Sequence, residues 1–274
     1  MADLENPTGF SRLHKKASLA GAFFVAAIWL PAAQALCTAP SSLPVAQVER
    51  VVDGDTLRLN DGRNVRMVGL NTPETGKKGQ SAEPFAEAAK RRLQALVAES
   101  DGQVSLGIGQ QAKDRYGRVL ANVYGRNGAN LEAQLLSEGL GYLVAVSPNV
   151  ALVNCQQAAE RVARTAKLGL WRNSPVQPAA QVDKGGFALV AGTIASVQRN
   201  GGGLWIELQD GPVLRIAPEL ISQFDAPALL RMKGQRIEAR GWVVDRSRRG
   251  GLKPGQTRWM MPITHPVMLA TSSR

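Results

Sequence analysis

The chain has 274 residues, 44% of them hydrophobic and 20% charged, enough to bury more than one core and unlike a disordered composition. Its 33 lysines and arginines against 22 acidic residues leave a charge of +11, which suits polyanionic partners such as nucleic acid or an acidic membrane surface. Two histidines (His14, His265) and two cysteines (Cys37, Cys155) are too few for a Cys/His zinc site. They also exclude Ser-His-Asp and Cys-His catalysis unless His265 acts alone. The chemistry has to rest on carboxylates and arginines and, if a metal takes part, on a hard one.

Residues 1–35 divide into a basic stretch (Arg12, His14, Lys15, Lys16), an apolar run from Ala17 to Leu30 that ends at Pro31, and Ala33-Gln34-Ala35. This is the pattern of a secretory signal peptide cleaved after Ala35, and the apolar run falls short of the roughly 20 residues a spanning helix needs. The expectation is a periplasmic or secreted chain with no stable membrane span. Without the leader, 30 basic and 20 acidic residues remain, so a charge of +10 belongs to the folded part. In an exported chain Cys37 and Cys155 are expected to form a disulfide, the alternative being two unpaired thiols.

In chain order, Val51 to Leu59 and Arg63 to Leu70 read as strands joined at Asn60-Asp61-Gly62. Glu83 to Ala98 follows as a helix with Phe85, Ala89, Leu93 and Leu96 near a 3.6 period. Val104 to Ile108 and Val119 to Tyr124 read as strands around Lys113-Asp114-Arg115-Tyr116-Gly117-Arg118. Two more helices span Asn130 to Glu138 and about Val150 to Lys167, before Gly169-Leu170-Trp171. Residues 173–184, with two prolines and no hydrophobic period, read as a linker between a first domain at 36–172 and a second at 185–274.

A hairpin turning about Asp61 sets Asp55 opposite Met67 or Val68, near Arg66 and the Asn71-Thr72-Pro73-Glu74 turn. A carboxylate, an arginine, an amide oxygen and a second carboxylate then meet at one strand end, a set suited to an oxygen-liganded cation and a phosphodiester. Alone, Asp53-Gly54-Asp55-Thr56 is also an ordinary turn. Taken with Arg66, Asn71-Thr72-Pro73-Glu74, Asp114-Arg115-Tyr116-Gly117-Arg118 and Gly169-Leu170-Trp171, it resembles the staphylococcal nuclease (thermonuclease) family over residues 45 to 172. The resemblance implies an OB-type five-stranded barrel with three helices that cleaves DNA and RNA with Ca²⁺.

The same resemblance implies roles. Asp55, Asn71 and Thr72 would hold the metal, Glu74 would activate or orient the attacking water, and Arg66 and Arg118 would bind the phosphate and its developing charge. Arg115 and Tyr116 would contact a second phosphate. Asn71 departs from the family's aspartate, which implies weaker metal binding. The tyrosines that stack on the nucleotide are missing, Tyr142 standing at a different offset, so base preference does not carry over. The bland reading pairs Arg66 with Asp53 or Asp55, leaves Arg118 solvated, and puts Glu74 in the turn after Pro73.

From Phe187 onward, five strand-like stretches with a helical insertion between the third and fourth suggest a second small OB-like barrel. Arg246, Arg248, Arg249 and Lys253 lie among glycines, near strands carrying Trp205, Trp242 and Trp259. Basic loops beside aromatic faces suit single-stranded nucleic acid, whereas the alternative is a solvated loop and three core tryptophans. His265 reads as structural. The sequence thus describes a mainly β chain with helices: an exported Ca²⁺-dependent sugar-nonspecific nuclease acting on DNA or RNA, single strands favoured, with a second barrel that increases its hold. It identifies no protein partner. The alternative is a weak or inactive nuclease-like protein that binds nucleic acid or the envelope.

Overall fold

In a computed structural model, residues 37–271 are described apart from 77, 78, 80, 249–251, 253 and 254. The expected signal segment, Arg249 and Lys253 lie outside the described residues. The first sheet closes as a barrel in the order β1 (Val45–Asp53), β2 (Thr56–Leu59), β3 (Asn64–Met67), β6 (Val119–Tyr124) and β5 (Gln103–Lys113). Alternation puts Leu57, Leu59, Val65, Met67, Leu106 and Val123 inside, all fully buried. Closure leaves this sheet no free edge.

Val51 to Leu59, expected as one strand, is two. The chain reverses at Gly54-Asp55, so β1 and β2 pair antiparallel with Asp53 opposite Thr56. Asp53-Gly54-Asp55-Thr56 is readable as a turn, but Asp-Gly alone is weak evidence, and the expected strand runs through it. Register in the next hairpin is as expected: Thr56 faces Arg66, and the Met67 amide donates to the Asp55 carbonyl at 2.9 Å.

Three helices pack on this barrel: α1 (Ala86–Ala98), α2 (Leu131–Ser137) and α3 (Val153–Ala166). Asn130 caps α2, its Oδ1 accepting the Ala133 amide at 2.9 Å. A disulfide joins Cys37 to Cys155 on α3 across 118 residues of sequence, with 5.7 Å between the Cα atoms. The short strands β4 (Leu70–Asn71) and β7 (Tyr142–Leu143) pair beside the barrel and carry Asn71.

Residues 173–184, expected as a linker, contain strand β8 (Val176–Pro178), which pairs in parallel with β9 (Gly186–Asn200). Ala179 and Val182 in this stretch are buried. Three residues are too few to show a period, so only the prolines were legible. The second barrel runs β9, β10 (Gly203–Leu208), β11 (Val213–Ile216), β13 (Trp259–Pro262) and β12 (Arg236–Asp245), with β12 closing on β9. The short helix α4 (Ala226–Leu230) is the expected insertion, and β14 (Leu269–Thr271) extends β12.

One hydrophobic core runs through both barrels, from Leu57 and Leu136 to Ile206 and Met261. Polar contacts tie them too. Arg240 of β12 donates to both oxygens of Glu160 on α3 at 2.8 and 2.7 Å, and Glu160 also accepts the Leu143 amide at 2.7 Å. Arg164 of α3 is bidentate to Glu238 of β12 at 2.9 and 2.6 Å. Among the described residues, no helix is long and apolar enough to cross a membrane.

Candidate active site

The β1–β2 reversal places Asp53 and Asp55 at the barrel's end, and both are buried. Gly54 is required by proximity, because a Cβ there would lie 2.7 Å from the Ala89 Cβ and 2.8 Å from the Thr72 Oγ1. Gly69 is required by conformation: its φ is +86°, and a Cβ would meet the Gln156 amide at 2.0 Å. Gly54 lets the β1–β2 turn approach α1 and Thr72, and Gly69 lets the turn before β4 approach Gln156 on α3.

Asp55 Oδ2 accepts the Thr72 amide at 3.0 Å and Arg66 Nη2 at 2.9 Å, while Oδ1 accepts the Thr56 hydroxyl at 3.0 Å. Arg66 in turn donates Nη1 to the carbonyls of Met67 and Leu70, each at 2.8 Å, and Nη2 to Asn71 Oδ1 at 3.3 Å. The structural pairing of Arg66 with Asp55 is therefore present, and it also holds the guanidinium in place. Burial, followed by the Asp55 charge, pushes the Asp53 carboxyl up to about 6.

Arg118 sits on the β5–β6 turn, its Nε on Asp114 Oδ2 at 2.7 Å. Asp114 is held below the ordinary carboxylate range: burial raises it, but the Arg118 donors outweigh that. Arg115 donates to the Tyr116 hydroxyl at 2.7 Å and lies over its ring at 4.8 Å. Tyr116 is 69% exposed, so this pair projects outward from the turn.

A cavity of about 240 Å³ is lined by both Arg66 and Arg118, with Asp114, Gln111 and Asn149. An adjoining cleft of about 910 Å³ is lined by Asn71, Thr72, Glu74, Arg172 and Lys184. Glu74 is exposed, and its backbone is fixed through Glu83: the Glu74 amide donates to Glu83 Oε2 at 2.9 Å, and the Glu83 amide donates to the Glu74 carbonyl at 3.0 Å. Glu83 escaped the sequence reading because it sits nine residues on, in the irregular stretch before α1.

The donor chemistry fits a hard cation. Among the described residues no three His, Cys, Asp or Glu side chains cluster as metal ligands. The available set is instead one carboxylate (Asp55), one amide oxygen (Asn71) and the Thr72 carbonyl. Asp55 Oδ2 and Asn71 Oδ1 both accept from Arg66 Nη2, so the guanidinium fills the point they share, and a cation bound by them would require that nitrogen to turn away.

In the second barrel Trp205 donates Nε1 to Asn200 Oδ1 at 3.0 Å and is flanked by Arg215 at 5.4 Å and Arg246 at 5.6 Å. Arg248 is solvated, its side chain 84% exposed and 3.8 Å from Asp245. Trp242, grouped with Trp205 in the sequence, instead lines both clefts of the first barrel. His265 accepts the Val267 amide through Nδ1 at 3.2 Å, a structural role as expected.

A closed five-stranded barrel with three helices packed on it defines an OB-type fold. Residues 64–173 match the family described as Staphylococcal nuclease homologue. The thermonuclease of Staphylococcus hyicus is 36% identical over 135 residues, covering 46% of this chain and 75% of that protein. Endonuclease YncB of Bacillus subtilis is 34% identical over 131 residues (46% of this chain, 61% of the relative). The SPbeta prophage-derived endonuclease YokF of Bacillus subtilis is 34% identical over 128 residues (45% of this chain, 43% of the relative). The chain belongs to the staphylococcal nuclease family, and its matched part spans about half the length of the two Bacillus relatives.

Proposed function

We propose that the protein is an exported, Ca²⁺-dependent nuclease that hydrolyses phosphodiester bonds of DNA and RNA, single strands favoured. One observation carries this reading: Arg66 and Arg118 open onto a single cavity beside the cleft that holds Asn71, Thr72 and Glu74. Two guanidiniums at one cavity can bind a phosphodiester, Arg118 through its two Nη groups, and stabilise the charge that grows on it as water attacks. Four of the five Arg66 N–H donors are on the Met67 and Leu70 carbonyls and on the Asp55 and Asn71 oxygens, so Arg66 meets a phosphate through Nε–H or after Asp55 and Asn71 release Nη2. Glu74, at the cleft mouth, orients the water and accepts its proton. Asp55, Asn71 and Thr72 would hold the cation, which when bound supplies Lewis-acid polarisation of a phosphoryl oxygen.

Export is supported by residues 1–35 and by the Cys37–Cys155 disulfide, a bond that persists in oxidising compartments. The Trp205 ring between Arg215 and Arg246 supports added hold on nucleic acid by the second barrel, through stacking and phosphate contacts. The test is degradation of plasmid, heat-denatured DNA and RNA by the intact chain with Ca²⁺ or with chelator. Degradation that needs Ca²⁺ supports the reading. Salt-sensitive binding without cleavage in Ca²⁺, Mg²⁺ or Mn²⁺ contradicts it and favours the binding-only alternative. Asn71→Asp adds a carboxylate at the cleft and is expected to lower the Ca²⁺ midpoint; an unchanged midpoint would place that side chain away from the ion.

A further inference from the structure

Strand β12 presents Glu238, Arg240 and Trp242 at every second position, on the face opposite inward-pointing Ile237, Ala239 and Val243. The first two are consumed by the docking of the barrels: Glu238 holds Arg164 and Arg240 holds Glu160. The third, Trp242, lies two residues further along the same face. It reaches the two clefts of the first barrel and lines both, with its side chain still 39% exposed.

An indole at that position would ordinarily be covered or replaced, because burying its area is worth more than exposing it. Here it is also braced. Trp242 packs edge-on against Phe187 at 5.3 Å, Phe187 stacks on Tyr142 at 5.6 Å, and Tyr142 meets Trp171 edge-on at 5.6 Å. Tyr142 belongs to β7, which pairs with Asn71 on β4. The same docking that locks β12 through Arg240 and Glu160 therefore fixes the indole relative to Asn71 and Arg66.

We propose that Trp242 is a nucleobase platform: the second barrel contributes a base-stacking subsite to the cleft of the first, for a nucleotide next to the phosphate held by Arg66 and Arg118. The inference rests on reading that cleft as a phosphodiester site. An exposed indole beside two phosphate-binding guanidiniums presents the pairing that single-stranded nucleic acid uses, with cation to phosphate and aromatic face to base. Lys184 and Arg172, lining the larger cleft with Trp242, continue the positive track past it. Because every base has a π face, such a platform favours unpaired over duplex strands without selecting sequence.

The test is fluorescence anisotropy of the intact chain, in chelator and at fixed salt, on a labelled thymidine oligomer and on an abasic tetrahydrofuran oligomer of the same length. Wild type is expected to bind the thymidine oligomer roughly tenfold more tightly. Trp242→Leu keeps the apolar packing on Phe187 and should raise the Kd for the thymidine oligomer toward that of the abasic one, leaving the abasic Kd unchanged. Trp242→Tyr should keep most of the gap. Equal affinity of wild type for both oligomers, or an equal loss on both in Trp242→Leu, would overturn the platform. Wild-type cleavage with Ca²⁺, Mg²⁺ or Mn²⁺ is followed in parallel: its absence would overturn the nuclease reading, while the two Kd values still decide the platform.

Discussion

Arg66 and Arg118 line the same cavity but stand in different environments, so truncating them separates stability from activity. The Arg66 side chain is 14% exposed and the Asp55 side chain 8%. Arg66→Ala would strand a buried carboxylate and is expected to cost about 3–5 kcal/mol, read as a lower urea midpoint, besides abolishing cleavage. Arg118 is a third exposed and its partner Asp114 lies on the same turn. Arg118→Ala is expected to leave the midpoint within about 1 kcal/mol of wild type while cleavage falls roughly a hundredfold. A stability loss as large as that of Arg66→Ala would mean that Arg118 is structural. At this scale the site was legible, because Asp55, Arg66, Asn71 and Glu74 lie within twenty residues and one hairpin register aligns them. Trp242 was not. Its position depends on how two distant barrels dock, and no local pattern distinguishes it from Trp205 or Trp259.

Among the elements, α2 carries a fully buried acid. Glu132 accepts the Val123 amide at 2.9 Å and Asn130 Nδ2 at 2.6 Å, yet burial pushes its carboxyl up to about 8. An acid raised in the folded state stays protonated there while the unfolded chain ionises. Stability is therefore full below about 4.5 and declines as pH rises toward about 8. Glu132→Gln removes that decline, so melting temperature against pH should flatten in this window; parallel wild-type and variant curves would contradict the assignment. The β12–α3 junction is the second element-scale device. Arg240→Ala leaves Glu160 buried and unpaired, and should cost about 3–5 kcal/mol, read by denaturant unfolding. Helices and most strands were legible from period and caps. The β1–β2 reversal was legible only as a possible Asp-Gly turn inside one expected strand, and β8 was not legible because it is a three-residue edge strand.

Among the described residues, one hydrophobic core is shared by the two barrels. Calorimetry should give a single unfolding transition, and two separated transitions would contradict a shared core. Converting Cys37 and Cys155 to Ser removes a crosslink over 118 residues and should lower stability by about 2–5 kcal/mol without splitting that transition. Charge acts at this scale as well. A formal +10 on residues 36–274 makes nucleic-acid binding fall steeply with salt.

The central claim is that the cleft of the first barrel hydrolyses phosphodiesters. The most direct measurement is single-turnover cleavage of labelled single-stranded DNA by wild type, Glu74→Gln and Arg118→Ala in Ca²⁺, with a chelator control. The account predicts cleavage by wild type that chelator stops, with a loss of roughly a hundredfold or more in each variant. Variants that cut as fast as wild type, or a wild type that binds the strand and never cuts it, would contradict it.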